Sequence, residues 1–360
     1  MASEAARSEA VTRGTNAERL RSWGRWKQFL LRIDIPGDPF LQQSNQPHTI
    51  TIFCAFAHYI RQAEFSRKVS TLAEGSVRHT IDNVAQAFRE GHQRDPRLDI
   101  DGRPSRLLQQ QLRGYKNADP PPRHQKALPI CILMALQQNQ SSERARALAD
   151  LSIGAFFFAM RSCEYLKVSG TRKIKRLTLR NLRFFKNGEL MDHRSPLLTT
   201  AEVLSITFVD QKNDQRNDTF TMHASQHHVL CPVRSWAKVT QRILSYKNTT
   251  LDSFVNTVSY DSKLYDITST DSVKALRAAA MSISSTRLGF EPNDIGTHSI
   301  RSGAAMAMYL DEIPVYTIML IGRWSSDAFL LYIRKQVEQF SHNVSKRMIR
   351  HTHFAHIPDF

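Results

Sequence analysis

The stretch Thr297–Arg334, THSIRSGAAMAMYLDEIPVYTIMLIGRWSSDAFLLYIR, decides how the rest of the chain is read. It sets His298 and Arg301 three residues apart, on one face of a helix, and places Tyr332 31 residues after Arg301. An arginine can fork two hydrogen bonds onto a phosphate, and an imidazole can move a proton near neutral pH. Tyr332 sits in a second helical pattern whose apolar stripe is Phe329, Ile333, Val337 and Phe340. Counting ~100° per residue, it falls roughly 60° from the near edge of that stripe, beside Ala328 and Lys335. A tyrosine at the margin of a core face can present its hydroxyl to a ligand.

His-x-x-Arg, then Gly-Arg-Trp, then a tyrosine followed by Ile-Arg resembles the C-terminal signature of the tyrosine recombinases, the phage-integrase family. The wording GRWSSDAFLLYIR (322–334) is most similar to the recombinases of eukaryotic mobile elements of the Crypton and DIRS type. The resemblance covers roughly residues 16–340 and is most specific in the last third. It implies a mainly α protein with a small β-sheet (α+β): a helical core-binding domain followed by a mixed α/β catalytic domain. It also implies a set of site residues: an early arginine, a lysine on a β-hairpin, the His-x-x-Arg pair, a His or Trp, and the tyrosine. The reaction would be DNA strand exchange or integration through a 3′-phosphotyrosyl intermediate, with no cofactor and no metal. The partners would be double-stranded DNA and further copies of the chain, a tetramer on DNA.

Composition agrees with a polyanionic partner. Lys+Arg 49 against Asp+Glu 33 gives a formal charge of +16, and each phosphate contact by such a surface releases condensed counterions. The four cysteines, Cys54, Cys131, Cys163 and Cys231, form no Cys-x-x-Cys pair, which argues against a zinc site and for a reducing compartment. The first residues, MASEAARSEAVTRG, lack the apolar core of a signal peptide. The longest apolar run, Ile153–Met160, is far short of the ~20 residues that cross a bilayer. The expectation is a soluble intracellular protein without a membrane partner; a nuclear location follows only from the likeness to eukaryotic elements.

Along the chain, residues 1–15 are small and polar without periodicity and are expected to form a disordered tail. Residues 16–116 carry four helical patterns, beginning with Leu20, Trp23, Trp26, Phe29 and Leu30 at spacings of three and four. Asn117–Arg123, with three successive prolines, makes a linker, because proline cannot continue a helix. The catalytic domain is expected over 124–340, and a C-terminal helix or tail over 341–360. Helices are expected at Ala127–Gln138, Leu151–Val168, Cys231–Leu244 and Asp271–Arg287. Strand-like runs cover Lys173–Phe185, Val203–Val209 and Thr219–His223, and Ser245–Thr270 reads as a polar loop.

Two charged residues, Arg161 and Glu164, interrupt the apolar stretch LSIGAFFFAMRSCEYLKV (151–168). Buried charges must be paired or bind an ion, so the plain reading is an Arg161–Glu164 pair one turn apart. By the resemblance, Arg161 is the first catalytic arginine and holds the scissile phosphate, with Glu164 supporting it. Lys212 lies in the turn-rich segment Asp210–Asp218. In the family a lysine on this hairpin protonates the departing 5′ oxygen; otherwise it is a solvated loop residue. His298 would accept the tyrosine proton or donate to phosphate. Nine residues before Tyr332, the family's usual His/Trp spacing, stands Arg323; eight before stands Trp324. An arginine at this place could contact phosphate directly, while Trp324 could give an indole N–H hydrogen bond and pack the site; Trp324 is favoured because the family accepts Trp in that role, with Arg323 then standing behind it. The basic run from Arg172 to Lys186, above all Arg172, Lys173, Lys175 and Arg176, is expected on the first strand and its approach, with part of it on the DNA backbone.

Downstream, Val337, Phe340, Val344 and Met348 form one stripe, which packs on its own domain or, as the resemblance implies, on a neighbouring protomer. The rival from another class is a catalytically silent DNA-binding protein derived from a mobile element. A type IB topoisomerase shares the chemistry and is the rival within enzymes.

Overall fold

The computed structural model describes residues 13–66, 70–121, 125–169, 174–210, 216–326 and 330. The chain divides into two compact units at 122/123.

The N-terminal unit holds helices α1 (Arg13–Arg32), α2 (Gln46–Arg61), α3 (Glu74–Glu90) and α4 (Arg106–Ala118). The start of α2 is set by Asn45, whose side chain accepts from the His48 N–H at 2.9 Å. Ala73, before α3, has no such oxygen; Asp119, just past α4, accepts from the Glu74 N–H at 2.7 Å instead and also receives Arg61. One carboxylate thus caps α3 and ties it to the ends of α2 and α4. The core is aromatic: Trp26 lies edge-on to Phe53 and Phe56, and its indole N–H donates to the Pro39 carbonyl at 2.8 Å. Of the five residues expected to bury α1, Trp26, Phe29 and Leu30 do, Trp23 is half-buried and Leu20 is 65% exposed. The core reaches only the second half of that helix.

The C-terminal unit is built around α6 (Glu143–Phe157), which is buried without a break from Ala147 to Phe156. Ser142 Oγ accepts from the Ala145 N–H at 3.1 Å, and Glu143 in the first turn complements the helix dipole. Around it pack α5 (Ile130–Gln138), α8 (Pro232–Leu244), α9 (Ser269–Met281) and α11 (Ser299–Leu310). Helix α8 approaches so closely that a Cβ on Gly154 would stand 1.6 Å from Trp236 Nε1. Four antiparallel strands, β1 (Leu182–Lys186), β2 (Glu189–Met191), β3 (Val203–Asp210) and β4 (Arg216–His223), form a sheet in the order β2-β1-β3-β4. Leu182 and Phe184 of β1 and Leu204, Ile206 and Phe208 of β3 are buried, which puts one face of the sheet on the core. The class is α+β, mainly α. No described helix is long and apolar enough to cross a membrane.

Four expectations are corrected here. The run 173–185 is not one strand: among its described residues, only those from Leu182 onward are on β1, and Leu179–Asn181 is a 3-10 turn. Leu177 and Leu179 alternate with Arg176, Thr178 and Arg180 as a strand would, but their N–H groups bond to the Glu164 and Ser253 carbonyls at 2.8 and 3.0 Å. The alternation is real, but the pairing stops at a single antiparallel bridge between Thr178 and Phe254. The segment 245–270 contains a hairpin, β5 (Thr257–Tyr260) with β6 (Lys263–Asp266). Its two-residue turn is Asp261-Ser262, both at positive φ, without the glycine that normally marks such a turn. The apolar stretch 151–168 is two elements: α6 ends at Phe157, and α7 (Ser162–Tyr165) begins after a break. The expected Asp271–Arg287 helix is likewise α9 followed by the short α10 (Ser285–Leu288).

Candidate active site

The site is made by two helix ends meeting. An α-helix leaves its last carbonyls unpaired, and its C-terminus carries partial negative charge. At the end of α6, Ala159 takes a left-handed conformation (φ 44°), and the Met160 N–H returns to the Ala155 carbonyl at 2.8 Å. The turn frees the carbonyls of Phe158 and Ala159. Arg301 donates to Ala159 O, and Arg323 Nη1 donates to Phe158 O at 3.1 Å. At the other end, α12 (Val315–Gly322) terminates on Arg323, itself left-handed at φ 55°. Arg301 donates to Gly322 O, Arg323 Nη1 to Ile321 O at 3.2 Å, and Arg161 Nη2 to Arg323 O at 3.4 Å. Three guanidinium groups therefore gather on five carbonyls from two helix termini.

Glu164 is the carboxylate among them. It is 1% exposed and accepts from the Arg161 backbone N–H at 2.8 Å, from Arg161 Nη1 at 3.0 Å and from Arg323 Nη2 at 2.7 Å. Arg161 is thus not inside a helix, as the sequence pattern suggests, but at the N-cap of α7, where Glu164 fixes both its backbone and its side chain. Its side chain keeps 15% of its surface open. Arg323 keeps none, and its guanidinium lies 4.0 Å above the Phe208 ring of β3 and 5.5 Å from that of Phe220 on β4. Burial pulls its pKa down from the ordinary arginine value; Glu164 opposes that shift, while the Arg161 charge adds to it. It remains a cation at neutral pH.

Arg301 is also buried, with its guanidinium 4.2 Å over the Trp324 ring. The indole is seated against Gly322, where a Cβ would meet Trp324 Cζ3 at 1.7 Å. Gly322→Ala is therefore expected to push the indole off Arg301 and to cost about 1–3 kcal/mol. A lowered melting temperature with altered tryptophan fluorescence would show this; an unchanged melt would contradict it. His298 stands exposed at the N-cap of α11, and its backbone N–H donates to Gln125 Oε1 at 2.8 Å. The segment after the linker holds this helix start in place: Leu128 N–H bonds to Ser299 O at 3.0 Å, and a Cβ on Gly303 would lie 2.3 Å from the Leu128 carbonyl.

Of the expected site residues, the structure brings Arg161, Glu164, Arg301, Arg323 and Trp324 together, with His298 one helical turn from Arg301. Tyr332, Lys212, Arg172 and Lys173 lie outside the described residues, as does the stripe from Val337 to Met348. Arg176 is committed elsewhere: its Nη1 meets Asp266 at 2.9 Å and Asn256 at 3.3 Å, and its guanidinium covers the Phe254 ring at 3.8 Å. Lys175 is exposed beside it. Both line an open cleft of about 640 Å³ together with Lys167, Arg180, Cys163 and Asn181. Arg180 is held by Asp252 through two hydrogen bonds of 2.7 and 2.9 Å. Sequence reasoning missed the Phe158 and Ala159 carbonyls, Gln125 and Gly322. Backbone acceptors carry no sequence signal, although a glycine directly before Arg323-Trp324 is a hint of close packing.

The α+β unit has the fold of the tyrosine-recombinase catalytic domain. Among solved structures the chain is similar to the Tn1549 transposon integrase in complex with transposon right end DNA, with a TM-score of 0.56 and 11% identity, covering 98% of each chain. It is also similar to the XerH site-specific recombinase bound to palindromic difH substrate in a post-cleavage complex. There the TM-score is 0.53 and the identity 13%, over 92% of this chain and 79% of that one. At such identity the likeness is one of fold. No family model matches the chain, and no curated protein matches it in sequence.

Proposed function

We propose that the chain is a tyrosine recombinase of the Crypton and DIRS type, which cuts and rejoins double-stranded DNA through a phosphotyrosine. The observation that carries the reading is that Arg161 and Arg301, 140 residues apart in sequence, are tethered to the consecutive carbonyls of Arg323 and Gly322. Two guanidinium groups held on adjacent carbonyls can act on the non-bridging oxygens of one phosphate.

In this reading Tyr332 attacks phosphorus, the bond to the 5′ oxygen breaks, and a 3′-phosphotyrosyl link forms. Lys212 gives the departing 5′ oxygen its proton, and His298 takes the proton of the phenol. Arg161 and Arg301 offset the charge that builds on the non-bridging oxygens, with the Trp324 indole packed on Arg301. A 5′ hydroxyl from a partner strand then attacks the same phosphorus and releases Tyr332. The phosphodiester is conserved as a covalent enzyme link, so the reaction is complete without a nucleotide cofactor or a metal. Residues 16–116 and the exposed Lys175, with Arg172 and Lys173, contact the DNA backbone. Four copies act on a pair of sites, in the nucleus.

Incubation with a nicked suicide duplex, in chelator, tests this. The expected result is an adduct stable to denaturant that is absent in Tyr332→Phe. Retention of DNA with no adduct under any condition would leave a catalytically silent DNA-binding protein in its place. Relaxation of a single supercoiled plasmid by the same adduct, without partnered exchange, would make it a topoisomerase.

A further inference from the structure

Arg323 occupies the position nine residues before Tyr332, yet its guanidinium is committed to the Glu164 carboxylate. Its side chain is fully buried; Nη1 and Nη2 are taken by Phe158 O, Ile321 O and Glu164, and the aromatic rings of β3 and β4 close one side. Nε is buried with no hydrogen-bond partner among the described residues. The backbone is left-handed at this residue, a conformation an arginine adopts only where the surroundings impose it. An apolar side chain of the same length would fill this space between Phe208 and Phe220 without desolvating a charge. Packing alone therefore does not explain an arginine.

Charge does. Glu164 serves two guanidinium groups, Arg161 and Arg323, so the three side chains carry one positive charge in excess. Arg161 alone among them reaches solvent. We infer that Arg323 is a positioning residue: it neutralises Glu164 from inside, so that Arg161 is held by the carboxylate without being cancelled by it and keeps a whole charge for an incoming phosphate. This rests on the proposed function for the identity of that phosphate, but not for the existence of the surplus charge. Without Arg323, Arg161 and Glu164 form a neutral pair.

The test is the salt dependence of duplex binding by the full chain, which needs no cleavage. Each phosphate that the protein no longer neutralises lowers the slope of log K against log salt by about 0.9. Arg161→Ala is expected to lose one such unit. Arg323→Met is expected to lose the same unit although Arg161 is intact, and Glu164→Gln/Arg323→Met is expected to regain it, because Arg161 then has no carboxylate to cancel it. Arg323→Gln serves if Arg323→Met does not fold. A wild-type slope in the folded Arg323 variant, or a double variant as deficient as the single one, overturns the inference. Failure of both neutral variants to fold assigns Arg323 to the core alone and overturns it too. A wild-type chain that binds with these slopes but forms no adduct sinks the recombinase reading and leaves the charge relay standing.

Discussion

Arg301→Ala is expected to slow adduct formation by about 10²- to 10³-fold, the usual loss when one preorganised donor to a developing oxyanion is removed. It should also unfold more easily. The Ala159 and Gly322 carbonyls would each be left buried without this donor, at about 1–3 kcal/mol apiece, and the Trp324 ring would lose the guanidinium it covers. Arg161→Ala separates the two effects. It should lose a similar factor in rate with a smaller loss of stability, because Glu164 keeps its Arg323 partner and the Arg161 side chain is partly exposed. Single-turnover cleavage of a suicide duplex, paired with a thermal melt, measures both. Equal stability losses for the two variants would show that Arg301 contributes no more to the fold than Arg161 does.

Gly154→Ala is the largest stability effect expected away from the site. The added Cβ would lie 1.6 Å from Trp236 Nε1 and 2.0 Å from Cδ1, between α6 and α8. Overpacking of a tight core costs about 1–3 kcal/mol and sometimes more, and a steric overlap of this depth belongs at the upper end. A loss of about 3 kcal/mol corresponds to roughly 6–12 °C in Tm for a unit of this size. The site should feel it as well, since the carbonyls that receive Arg301 and Arg323 follow directly from the end of α6. Trp236→Phe in the Gly154→Ala background should recover part of the loss, because the smaller ring vacates the position. A melt within about 2 °C of wild type, on the order of half a kcal/mol here, would contradict the close approach of the two helices.

Much of this was legible in the chain. The helices came from apolar spacing, as with Trp26, Phe29 and Leu30, and the pairing of β3 with β4 from two alternating runs around a polar turn. Arg161 and Glu164 stood out because charge in an apolar stretch demands a partner. What could not be read was anything that depends on backbone placement. Nothing in Phe158-Ala159 announces a left-handed turn whose carbonyls hold two arginines. Arg176 belonged to a basic run and looked available; Asp266, 90 residues on, takes it. The Asp261-Ser262 hairpin lacks the glycine that would have marked it. The choice between Arg323 and Trp324 could not be made from spacing either, because it turns on which side chain points inward. In the structure Arg323 goes to Glu164 and Trp324 to Arg301.

In the proposed function two arginines hold a phosphate for Tyr332. The direct measurement is to trap the adduct on a suicide duplex, digest it with protease and nuclease, and find by mass spectrometry which side chain carries the residual 3′-phosphonucleotide. The expected result is a single modified peptide containing Tyr332. Modification at Tyr309 or Tyr316, or a protein that binds the duplex and yields no modified tyrosine at all, would contradict it.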